Sequence, residues 1–157
     1  MTKHRAIPEG FMTVGEAAKK MGVTVRTLQY YDKEGLFPEI QRTSGIRRFG
    51  EKEIDALRVI ECLKKSGLEI KDIKQFMDWC IQGSETDPQR LNLFLKQRRQ
   101  VEAELARMNR VLDMLNFKCW YYEEALKDGN EDRVTRMKPE DMPDEIRRAY
   151  EKSHQNT

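Results

Sequence analysis

Between Pro88 and Gly129 the chain contains neither glycine nor proline. Alternating steps of three and four residues through that stretch land on Leu91, Phe94, Arg98, Val101, Leu105, Met108, Leu112, Leu115, Cys119, Tyr122 and Leu126. Ten of these eleven are apolar when Cys and Tyr are counted, and most residues between them are charged or polar. An apolar seam with this spacing, sustained for about five heptads, predicts a single helix. At ~1.5 Å rise per residue it would be roughly 60 Å long. Asp87 as cap and Pro88 at the first helical position mark its start. A polar helix of this length cannot bury one apolar stripe in a small head, so it needs a partner helix. A homodimer is the economical solution, with Leu91, Val101, Leu105, Met108, Leu112 and Leu115 as dimerisation residues.

The 157-residue sequence as a whole is polar as well: charged residues make up 36% of it and hydrophobic ones 38%. That balance fits exposed helices better than one large globule. The formal net charge is only +2, yet it is unevenly placed. Residues 1–50 hold nine Lys or Arg against five acids, and the segments after residue 50 are neutral or slightly acidic. A basic end on a near-neutral body is the footprint of a polyanion-binding head. No run of 18 apolar residues is available for a membrane span, and no apolar stretch follows the basic N-terminus to make a signal peptide. Three scattered cysteines, 62, 80 and 119, read as free thiols in a reducing compartment, so the expected location is cytoplasmic, with no membrane partner.

Caps and breakers divide the head. Thr13 and Glu16 have capping-box spacing, and the short helix that follows should turn Val14, Ala17, Ala18 and Met21 inward before Gly22 ends it. Thr24 caps a second helix, Val25 to about Glu34, closed by Gly35. The small Ala18, the glycine of the turn and the apolar Leu28 have the spacing of a helix-turn-helix. The stretch from Phe37 to Phe49 has Thr43-Ser44-Gly45 at its centre and reads as a β-hairpin carrying Arg42, Arg47 and Arg48, a basic wing. A third helix from Gly50 or Glu51 to about Lys65 offers Ile54, Leu57, Ile60 and Leu63 to a core, and Ser66-Gly67 breaks it. A fourth, from about Ile70 to Gly83, should turn Ile73, Phe76, Met77 and Cys80 inward. The expected organisation is an N-terminal arm over 1–11, the winged head with its following helix pair over 12–83 and the coiled-coil helix over 84–129. A polar tail over 130–157, weakly ordered or a short helix from Pro143, completes it.

Met12-Thr13-Val14-Gly15-Glu16-Ala17-Ala18 and Gly22-Val23-Thr24-Val25-Arg26-Thr27-Leu28-Gln29-Tyr30-Tyr31-Asp32-Lys33-Glu34-Gly35-Leu36 resemble the head of the MerR family of bacterial transcription regulators. Ser44-Gly45-Ile46-Arg47-Arg48-Phe49 resembles its wing, and Cys62-Leu63-Lys64-Lys65-Ser66-Gly67-Leu68-Glu69-Ile70 the start of its second helix pair. The resemblance covers about residues 12–128. It implies a mainly α protein, a winged helix-turn-helix dimer held by an antiparallel coiled coil. It further implies binding to a promoter palindrome in double-stranded DNA, whose distortion on effector binding lets RNA polymerase engage. By position, Arg26 and Thr27 would face the major groove, Tyr30 a phosphate and Tyr31 the core. Arg47 and Arg48 would hold the DNA backbone, and Lys64 would add a phosphate contact. Thr13, Gln29 and Arg42 complete the DNA-facing set. The family usually has Arg where this chain has Gln29, so one cationic contact is missing.

The effector is less legible. Cys62 falls where the thiol- and aldehyde-responsive branch of the family resembles this chain most closely. Arg58 four residues before it and Lys65 three after would favour its thiolate, the reactive form. The opposing reading is a small buried hydrophobe. The family's metal sensors carry a loop cysteine where Phe117 stands here, Cys119 has no later cysteine to pair with, and His4 and His154 are terminal. The expectation is therefore no metal and no cofactor. A drug-like ligand held by Trp79, Phe117, Trp120 and Tyr121 is a third reading, without the large effector domain such members carry. No phosphate loop or catalytic constellation is present, so an enzyme is not expected. The competing class is a DNA-architectural, excisionase-like accessory protein, from which the long helix argues away.

Overall fold

The computed structural model describes residues 9–37, 42–43 and 45–154. Two compact units divide the chain, Met1–Gln97 and Arg98–Thr157.

In the first unit, α1 (Val14–Met21) opens on the capping box: Glu16 N–H donates to Thr13 Oγ1 at 3.1 Å, and Thr13 N–H donates to Glu16 Oε2 at 2.9 Å. Gly22, at φ 67°, ends the helix in the left-handed conformation that a side chain would disfavour. Thr24 then caps α2 (Val25–Lys33) by accepting from Thr27 N–H at 3.1 Å. Ala17 and Ala18 are buried where α1 meets its neighbours, and Leu28 and Tyr31 are the buried face of α2. Strand β1 (Arg42–Thr43) pairs antiparallel with β2 (Ile46–Arg47), Arg42 opposite Arg47 and Thr43 opposite Ile46. Residues 38–41 and Ser44 of the expected hairpin lie outside the described residues. The chain leaving the wing is tied to the start of the head by an isolated bridge, with Met12 N–H donating to Phe49 O at 2.8 Å and Phe49 N–H to Met12 O at 3.1 Å.

Helix α3 (Glu51–Lys65) buries Ile54, Leu57, Ile60 and Leu63 at the expected spacing. In α4 (Ile70–Gln82), Ile73 is fully buried, and Phe76 and Met77 pack on the same core. Cys80 was expected to follow them inward. It is exposed instead, near the end of α4 and beyond the core, with Arg90 Nη1 3.9 Å from its sulfur. A 3-10 turn, Ser84–Thr86, leads into α5 (Asp87–Asp128), a continuous helix of 42 residues. The buried Thr86 hydroxyl bonds back to the end of α4, 2.8 Å from Trp79 O and 2.7 Å from Gly83 O. The Phe76 and Phe94 rings meet edge-on at 5.2 Å, and Gln97 Nε2 donates to Ser66 O at 2.7 Å.

The second unit holds the rest of α5 with α6 (Asp132–Arg136), a 3-10 turn at Pro139–Asp141 and α7 (Asp144–His154). Of the two expectations for the tail, helix is the one realised, and α7 is longer than the segment expected. Its few apolar residues are covered all the same: Ala125, Val134, Met142 and Ala149 are buried, and the Tyr150 ring lies 5.0 Å from that of Phe117. Polar ties add to this. Tyr121 Oη lies 2.7 Å from Glu131 Oε2 and 2.8 Å from Thr135 Oγ1, and Arg133 bonds to both Asp128 and Glu124.

Candidate nucleic-acid interface

Burial fixes which face of α2 can meet a ligand. Leu28 and Tyr31 point into the core, which leaves Arg26, Gln29, Tyr30 and Lys33 exposed. These positions are three, one and three apart, a single stripe along the helix. The adjacent tyrosines separate cleanly: Tyr30 is 46% exposed and Tyr31 0%. Thr27 is half-buried, its hydroxyl 2.9 Å from that of Thr24. Thr13 spends its side chain on the α1 cap. Lys33 was missed by motif reading, although a step of seven from Arg26 would have found it.

Tyr31 is the polar tie between α2 and α3. Its hydroxyl donates to Glu61 Oε1 at 2.6 Å and accepts from Lys64 Nζ at 3.1 Å, with the ammonium 5.4 Å from the ring centre. Burial and the adjacent Glu61 carboxylate push the phenol well above its usual range, so it stays protonated and keeps donating. Lys64 is thus already engaged with Tyr31, while remaining exposed.

On the wing, Arg42 Nη2 donates to Asp32 Oδ2 at 2.7 Å, and Arg47 Nε donates to the same oxygen. Arg48, expected beside Arg47 on the DNA backbone, is only 4% exposed, and its Nε has no hydrogen-bond partner among the described residues. Successive side chains in extended backbone point to opposite faces, so Arg47 and Arg48 do not share one.

The cysteines are all free and all exposed. Cys62 is therefore not the small buried hydrophobe of the opposing reading. Arg58, one of the two cations expected beside it, is paired with Asp55 at 2.7 Å. Cys119, counted onto the apolar seam, borders an open groove between α5 and α7 with Asn116, Trp120, Ala149 and Lys152. Phe117, Trp120 and Tyr121 are ring neighbours, and Phe117 seats Tyr150 of α7. Trp79 belongs to the other unit. Among the described residues, no three His, Cys, Asp or Glu side chains cluster so as to hold a metal ion, and no helix is long and apolar enough to cross a membrane.

A helix-turn-helix with a basic hairpin and an exposed polar stripe on its second helix defines a winged DNA-binding head. Residues 12–79 match the model of the MerR HTH family regulatory proteins. An uncharacterized HTH-type transcriptional regulator of Haemophilus influenzae is 41% identical over 114 residues, which is 72% of this chain and 84% of that protein. The HTH-type transcriptional regulator AdhR of Bacillus subtilis is 32% identical over 91 residues, 57% of this chain and 65% of that one. Among solved structures, HiNmlR, a MerR family regulator lacking the sensor domain and bound to promoter DNA, matches with a TM-score of 0.61 at 39% identity, covering 78% of this chain and 98% of that one. A MerR family transcriptional regulator from Bacillus thuringiensis matches with a TM-score of 0.57 at 37% identity, covering 69% and 96%. The chain belongs to the MerR family of transcription regulators.

Proposed function

We propose that the protein is a homodimeric, non-enzymatic, cofactor-free promoter regulator that binds a palindrome in double-stranded DNA. It acts on RNA polymerase indirectly, by distorting the promoter between its two heads. The observation that carries the reading is the pairing of two open surfaces. One is the Arg26, Gln29, Tyr30, Lys33 stripe beside the Arg42–Arg47 wing. The other is the apolar seam of α5, where Leu91, Val101, Leu105, Met108, Leu112 and Leu115 are all exposed although α6 and α7 already pack on that helix. A head that reads DNA and a helix that needs a second copy together make a two-headed binder. An architectural accessory protein has no use for the second surface. The similar HiNmlR, solved on promoter DNA, supports the same partner here. The reading places the protein in the cytoplasm; among the described residues no helix is long and apolar enough to cross a membrane.

In this reading Arg26 reaches base edges, Thr27, Gln29 and Tyr30 complete the recognition face, Arg42 and Arg47 hold phosphates, and Lys64 and Thr13 lie at the margin of the contact. Lys33 extends the basic stripe. Arg48 is left out, because it is buried. The test separates the roles. Each neutralised phosphate contributes about 0.9 to the slope of log K against log salt. Arg47→Ala, present in both protomers, is expected to flatten that slope by roughly two units and weaken all sequences alike. Arg26→Ala is expected to relax base preference at one position per half-site by about 1–3 kcal/mol. A wing variant with an unchanged slope takes Arg47 off the DNA.

For the effector, the exposure of Cys62 favours a thiol-reactive electrophile as input. It lies in the last turn of α3, the helix that follows the wing, so alkylation there would add bulk on the element that carries the wing. The expected result is promoter transcription in vitro that responds to an aldehyde or diamide in wild type, Cys80→Ser and Cys119→Ser and fails to respond in Cys62→Ser, with DNA affinity retained. A full response from Cys62→Ser removes the thiol from the switch.

A further inference from the structure

We propose that Asp32 is a positioning residue for DNA recognition: one carboxylate on the recognition helix grips both strands of the wing and sets the wing's angle against that helix. The proposal rests on the DNA-binding reading above and deepens it.

Among the described residues the wing pairs Arg42 with Arg47 and Thr43 with Ile46. An isolated two-stranded ribbon does not hold its own shape in water. Its first pair also sets two cations directly across from one another, an arrangement that destabilises a ladder. Asp32 answers both problems with a single atom. Its Oδ2 accepts from Arg42 Nη2 at 2.7 Å and from Arg47 Nε. The carboxylate side chain is 5% exposed, while Arg42 keeps 46% and Arg47 26% of their side-chain surface open. Arginine has five donors in a rigid fork, and the bond to Asp32 takes one N–H group from each. The held edge orients the fork, and the rest of it is presented outward. The acid sits one residue after Tyr31, whose hydroxyl is fixed to Glu61 on α3, so the grip stands on a backbone that is itself anchored.

This gives an expectation opposite in sign to simple electrostatics. DNA is a polyanion, so deleting a carboxylate beside it should tighten binding to every sequence. A carboxylate that positions the wing does the reverse for the correct sequence. Asn keeps an accepting oxygen but not the negative charge that offsets two facing cations, so the arginines separate and phosphate contacts become available in many geometries rather than one.

The experiment uses the full chain. A palindrome is first selected by the wild-type protein from a random duplex pool; a pool that yields no enriched sequence defeats the DNA-binding reading itself, and not this one alone. Anisotropy titrations on the selected and a scrambled duplex then compare wild type, Asp32→Asn and Asp32→Glu at several salt concentrations. Asp32→Asn is expected to lose about tenfold on the palindrome while binding scrambled DNA as well or better, so the specificity ratio falls by at least that factor. Asp32→Glu, which keeps the charge on a longer arm, is expected to fall between the two. Should Asp32→Asn melt below the assay temperature, Asp32→Glu decides: a ratio reduced about threefold supports the grip, and an unchanged ratio overturns it. Equal or tighter palindrome binding by folded Asp32→Asn, with its ratio intact, also overturns it.

Discussion

Leu105→Asp combined with Leu112→Asp is expected to leave the protein monomeric at micromolar concentration. Both leucines lie near the middle of α5, so they meet a partner helix whichever way the two copies run. In the single chain they are 60% and 54% exposed. Burying one leucine contributes about 1.5–3 kcal/mol. An aspartate in its place loses that and adds the cost of a carboxylate without a partner in an apolar seam. Four such sites per dimer sum to the order of 10 kcal/mol, against about 12 kcal/mol for a nanomolar dimer. Sedimentation should therefore find monomer. Palindrome affinity should fall by roughly a hundredfold or more, because the second head no longer binds as part of the same molecule. Helix content should change little, since Asp costs only about 0.7 kcal/mol per position relative to Ala. A double variant that stays dimeric places the interface elsewhere.

Phe49→Ala is expected to have the largest effect on the head. Phe49 is fully buried, its ring stands edge-on to Phe37 at 5.9 Å, and its backbone carries the bridge to Met12. It also links the wing to Gly50, the N-cap of α3, so it joins the hairpin to the core. Truncating a buried phenylalanine costs about 3–5 kcal/mol, against a total of roughly 5–15 kcal/mol for a domain. With a urea slope of about 2 kcal/mol/M, the midpoint of the head should fall by roughly 2 M. DNA binding should be lost near that midpoint, while the proposed dimer, which would rest on exposed residues of α5, should persist. An unchanged midpoint would mean that the wing root is not part of the head's core.

The features legible in the sequence are those governed by local rules. The capping box at Thr13 and Glu16, the glycine stop at Gly22, the cap at Thr24 and the seam of α5 are decided by neighbours a few residues away, and the structure has all four. The assignment of Tyr31 to the core came from the family resemblance, and Tyr31 is buried while Tyr30 is exposed. What stayed hidden depends on approach through space. Arg48 looked like a second wing cation, and only the turn of the chain toward Met12 puts it inside. Cys80 kept the core spacing of α4 but lies past the end of the core it should have joined. The tail had too few apolar residues to promise a fold, yet Val134, Met142 and Ala149 are buried. Asp32 gave no signal at all: an acid on a recognition helix opposes DNA by charge, and its use appears only when Arg42 and Arg47 arrive from the wing.

The central claim is a two-headed dimer on promoter DNA. Hydroxyl-radical footprinting of the wild-type protein on the DNA flanking its own gene tests it most directly, with protein stoichiometry measured on the protected fragment. The account predicts two protomers bound and two protected half-sites, related by a two-fold axis that falls inside an overlong spacer between promoter elements. One protomer on a single asymmetric site, or no protection at concentrations where the dimer is intact, would contradict it.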